Sequence, residues 1–107
     1  MMTIIGEQKV NANWQKPSEL AQYLGVMGWG KVPGPHNIFH IKLGGGYTVS
    51  LDLGQFPAVA STIHNAARGL EGSYVFHLHM PGQQELLASE IERWAFVAEP
   101  ARACWVS

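Results

Sequence analysis

Asn37 to Leu53 reads NIFHIKLGGGYTVSLDL, two alternating runs joined by three glycines. Side chains on a strand point to opposite faces in turn, so Phe39, Ile41 and Leu43 share one side and Ile38, His40 and Lys42 the other. The returning run repeats the pattern, with Tyr47, Val49, Leu51 and Leu53 opposed to Thr48, Ser50 and Asp52. Gly44-Gly45-Gly46 supplies the backbone freedom of a tight turn between them. The pattern is that of a β-hairpin with one apolar and one polar face.

Outward from this hairpin, Thr3 to Val10 alternates approximately and reads as a first strand. Pro17 suits an early helical position, and Leu20, Tyr23, Leu24 and Met27 come after it at helical spacing, which predicts a helix over Pro17 to Met27. Gly25, Gly28 and Gly30 close it, and Pro33-Gly34-Pro35 makes the next segment a loop. On the other side of the hairpin, Phe56, Val59, Ala60, Ile63, Ala67 and Leu70 fall near one helical stripe, so Gln55 to Leu70 is expected to be a second helix.

Ser73 to Met80 alternates again and predicts a strand with Tyr74, Phe76, Leu78 and Met80 on one side and Val75, His77 and His79 on the other. Leu87, Ile91 and Trp94 recur at helical spacing and predict a third helix over Gln84 to Ala95; an extended segment is the alternative. Ala103 to Val106 can add a short strand. The order strand, helix, strand, strand, helix, strand is that of a ferredoxin-like βαββαβ sandwich, an α+β fold with a four-stranded antiparallel sheet and helices on one face, here with a C-terminal helix and strand extension. At 107 residues a single domain spanning the whole chain is expected.

Composition excludes several functions. Hydrophobic residues make up 47% and charged ones 14%, which describes a packed globule. The formal charge is −1 and the seven Lys and Arg are scattered, so no positive field gathers phosphates and no nucleic-acid partner is expected. No apolar run approaches the roughly 20 residues of a membrane span, so no membrane association is expected. The single Cys104 cannot close an internal disulfide and the start carries no secretion signal, which points to the cytoplasm.

No complete catalytic set is legible. Ser61 near His64 and the lone Cys104 lack a strand-to-helix elbow, an orienting acid and an oxyanion hole. The glycines at 25, 28 and 30 close a helix where a dinucleotide fingerprint would open one, so no nucleotide or other cofactor is predicted. No residue is therefore assigned to catalysis or to a metal, and the reading leans toward a non-enzyme while leaving enzymatic activity open.

Two surfaces remain. Four tryptophans exceed the usual share, and Trp29 lies in a loop stiffened by glycine and proline, which suits docking. Trp14, Trp29, Val32 and Trp105 are the candidate protein-binding residues. They support a non-catalytic protein-binding module, a small modulator or inhibitor of a larger protein of the kind phages use against host defences, or a homodimer. The alternative is a small-ligand or divalent-metal binding domain, catalytic or not, that uses His40, Asp52, His77 and His79 on an open polar sheet face. Two histidines at i and i+2 on a strand stand roughly 6.5 to 7 Å apart at Cα, close enough for one ion. Imidazoles gathered on such a face would also make any assembly across it sensitive to pH where histidine titrates.

Overall fold

A computed structural model describes residues 12–98. Within them the chain is α+β, with a five-stranded antiparallel sheet and two helices. The order is α1 (Pro17–Val26), β1 (Gly30–Lys31), β2 (Ile38–Leu43), β3 (Tyr47–Gln55), β4 (Ala58–Asn65), β5 (Gly69–His77) and α2 (Gln83–Phe96). Every strand pairs with its sequence neighbour, so the sheet order is β1-β2-β3-β4-β5.

The β2–β3 hairpin forms as its alternation predicts, with Phe39 opposite Leu51 and Ile41 opposite Val49. Gly44–Gly46 makes a single 3-10 turn in which Gly45 and Gly46 take φ of 78° and 83°, values costly for any residue with a Cβ. Helix α1 begins at Pro17, whose missing N–H is lost at a position with no intrahelical acceptor. The Glu19 carboxylate reaches back to accept from the N–H groups of Gln15 and Lys16, satisfying the chain entering the helix.

The expected helix over Gln55 to Leu70 is a strand pair instead. Val59, Ser61, Ile63 and Asn65 alternate along β4 and face Phe76, Tyr74, Gly72 and Gly69 on β5. Two inward positions are polar, Ser61 and Asn65, yet both are buried. They hide the period of two and leave Val59, Ile63 and Ala67 looking helical. Asn65 also builds the turn: its Oδ1 accepts from the N–H groups of Ala67 (2.9 Å) and Arg68 (3.2 Å), and its Nδ2 donates to the Gly45 carbonyl at 3.3 Å. The described residues thus hold five strands rather than four, with no helix between the hairpin and the His77 strand, so their order is not that of the ferredoxin-like βαββαβ sandwich. The expected strands over Thr3 to Val10 and Ala103 to Val106 lie outside the described residues.

Both helices cover the same face. Leu20 and Leu24 of α1 and Leu87, Ala88, Ile91 and Trp94 of α2 join Phe39, Ile41, Val49, Leu51, Leu53, Val59 and Phe76 in one core. Helix α2 crosses the sheet diagonally. Its first turn is fixed at β5, where Gln83 Oε1 accepts from the His77 N–H at 3.2 Å. Just past its end, Ala98 bridges to Leu43 of β2 and the Val97 carbonyl accepts from the N–H of Gly44 in the adjoining turn at 3.1 Å. Among the described residues, the diagonal leaves the Gly69 end of β5 uncovered on the core side. Gln84 ties in the N-terminal segment, its amide accepting from the Trp14 N–H (2.7 Å) and donating to the Trp14 carbonyl (3.0 Å).

Candidate functional site

Trp14 and Trp29 are core residues, only 8% and 5% exposed. Trp14 packs on Tyr23 with ring centroids 5.4 Å apart, and Trp29 meets Trp94 edge-on at 5.9 Å. Among the described residues the buried Trp29 indole N–H has no hydrogen-bond partner, and the ring is positioned by packing. The aromatics expected to tip a docking loop therefore hold α1 and α2 on the sheet. Val32 is half-buried and its N–H donates to the Ile38 carbonyl. Trp105 lies outside the described residues.

The histidines of the alternative site are not brought together. His40 stands on β2 in a row with Ser50, Thr62 and Ser73, whereas His77 stands on β5, paired with Ala58. Three interstrand spacings alone separate β2 from β5 by about 14 Å, and His77 is displaced four residues further along. His77 and His79 do meet, ring centroids 5.9 Å apart, but His79 lies beyond the strand in the turn. Asp52 is engaged locally, its Oδ1 accepting from the Gly54 N–H at 2.9 Å. Among the described residues no three His, Cys, Asp or Glu side chains gather as metal ligands would.

What the structure does assemble is a groove beside the uncovered end of β5. Its volume is about 430 Å³, and it is lined by Ser61 and Ile63 of β4, Tyr74 and Phe76 of β5, and Leu86, Glu90 and Trp94 of α2. The three helical residues are spaced i, i+4 and i+8, one stripe along α2. Tyr74 is 52% exposed and Leu86 40%, so the walls are large apolar side chains open to solvent, with Glu90 as the charged group among them.

The groove borders an open sheet edge. The N–H of Leu78 donates to the Pro57 carbonyl (2.9 Å), and in an antiparallel ladder alternate pairs are hydrogen-bonded. Counting back along the register, Phe76, Tyr74 and Gly72 bond to β4, so Val75 and Ser73 direct their N–H and C=O groups away from the sheet. The neighbouring ladder agrees: Ala66 donates to Gly46, which turns Thr62 and Ala60 toward β3 and Ser61 and Val59 toward β5. The next outward N–H, that of His77, is taken by Gln83. Among the described residues nothing pairs with the outer side of Ser73 and Val75.

The opposite edge is built differently. β1 is two residues long, and by the same counting the outward positions along this edge are Lys31 in the strand and Pro33 two residues past it, a charge and a residue with no N–H. Those are the devices that keep an edge from pairing. β5 has nine residues and neither Lys nor Pro.

The uncovered edge and groove are not legible in the sequence, because Tyr74 and Trp94 belong to apolar periodicities that ordinarily signal core and Leu86 belongs to none. Comparison with protein-family models, curated proteins and solved structures found no match. Among the described residues no helix is long and apolar enough to cross a membrane.

Proposed function

We propose that the chain is a non-catalytic protein-binding module that docks an extended segment of a larger protein along β5, with the groove beside α2 receiving alternate side chains of that segment. The observation that carries the reading is the pair of backbone donors and acceptors on Ser73 and Val75, unpaired among the described residues, at the lip of an apolar groove. Strand addition uses both elements: the main chain supplies hydrogen bonds, and pockets for every second side chain supply selectivity. An added strand would present one set of its side chains to the groove face, where Tyr74, Phe76 and Leu86 stand, and the other set to solvent. The near-neutral charge fits a partner held by apolar contact and backbone pairing rather than by long-range steering. A small chain seated this way acts as a modulator or inhibitor by occupying a strand its partner needs.

Affinity capture from the native host tests this with three forms of the chain. Wild type and His40→Ala should retain the same protein, while Tyr74→Glu, which places a carboxylate in the groove at an exposed position, should lose it at least tenfold. Retention by Tyr74→Glu at the wild-type level would overturn the reading. Loss on His40→Ala instead would move the binding surface to the solvent face of the sheet.

A further inference from the structure

Resting on that docking surface, we infer that in the free protein β5 pairs with β5 of a second copy about a two-fold axis at Tyr74, with Ser73 of each copy opposite Val75 of the other. Two strands related by a two-fold axis must pair antiparallel, and hydrogen-bonded pairs form only between residues whose backbone groups face outward. In the regular part of β5 those are Ser73 and Val75. Three registers are open to them. Placing Val75 against itself sets Ser73 opposite His77, whose N–H is already held by Gln83. Placing Ser73 against itself sets Val75 opposite Glu71, the extra residue at the irregularity between β4 and β5, where the ladder shifts. Ser73 opposite Val75 uses all four free groups of each strand and needs no other.

The side chains agree with this register. Tyr74 meets Tyr74 at the axis on the groove face, and Phe76 stands opposite Gly72, a large residue against one with no side chain. The two grooves then join across the axis, which shields the exposed Tyr74 and Leu86. Choice of edge is also explained: β1 is blocked by Lys31 and Pro33, and β5 carries neither device.

Sedimentation equilibrium of the full chain across micromolar concentrations, with amide exchange measured at Ser73 and Val75, tests the inference. The expected result is a monomer–dimer equilibrium in which both amides become protected as the dimer forms. Val75→Pro removes an outward N–H without deleting a β4–β5 bond, and the symmetry removes it twice; the dimer should weaken by roughly 100-fold. Should Val75→Pro lose its native circular dichroism, Tyr74→Glu gives the same readout by setting two carboxylates together at the axis.

A monomer with freely exchanging Ser73 and Val75 amides overturns the inference. So does a monomer with those amides protected at every concentration, which would assign the edge to residues 1–11 or 99–107 of the same chain. A dimer insensitive to both substitutions would lie elsewhere and also overturns it. If the wild type is monomeric and Tyr74→Glu still abolishes capture, the docking function stands without the dimer. If Tyr74→Glu breaks the dimer and capture is unchanged, the dimer stands and the docking function falls.

Discussion

Tyr23 shows how one side chain couples packing to solution conditions. Partial burial against Trp14 raises its phenol above the ordinary value of 10.0, and the Glu92 carboxylate adds to the rise. The folded state therefore holds this proton more tightly than the unfolded chain does. Linkage then fixes the sign: stability is intact below pH 10 and falls as pH climbs toward the raised value, because the unfolded chain ionises first. Denaturant midpoints measured from about pH 9 to 11 should decline for wild type and decline less steeply for Tyr23→Phe. At the same scale, Trp14 and Trp29 are legible in the sequence as important but not as buried. Their loop positions suggest display, whereas the partners that bury them, Tyr23 and Trp94, come from elements whose relative placement no local pattern specifies.

Elements with a clean period can be read directly, and those whose inward positions include polar residues cannot. The β2–β3 hairpin, α1 and α2 are specified by alternation, helical spacing and glycine punctuation, and their observed bounds lie within a few residues of the expected ones. β4 escapes because Ser61 and Asn65 occupy core-side positions, and Asn65 is there to close a turn. Asn65→Ala should therefore destabilise the fold by about 2–3 kcal/mol, since two backbone donors and one carbonyl lose their partner. Asn65→Asp keeps the acceptor for Ala67 and Arg68 but sets a carboxylate oxygen against the Gly45 carbonyl, so a loss of at least about 1 kcal/mol is expected from that contact alone. Urea titrations of the two variants, read for midpoint at constant slope, distinguish a turn-forming Asn65 from a merely buried one.

At the scale of the whole molecule, the sheet has one dry and one open face among the described residues, and adjacent positions feel that difference. Leu51 is fully buried beneath the helices while Ser50 looks the other way. Leu51→Ala should cost about 2–5 kcal/mol and Ser50→Ala no more than about 0.5 kcal/mol, a contrast readable from thermal or urea unfolding. Two-sidedness is visible in the hairpin's alternation. The diagonal course of α2, which opens the groove and bares β5, is not, because it depends on the His77–Gln83 and Gly44–Val97 anchors at the helix ends.

The Lys31–Pro33 margin of β1 has a consequence for growth. A sheet sealed along one side behaves as a monofunctional reagent: it can couple once and then has no reactive end left. Whatever strand joins at β5, the product is terminated at its far side, so association yields discrete complexes and the chain is spared the open-ended polymerisation that a bare margin on both sides would invite.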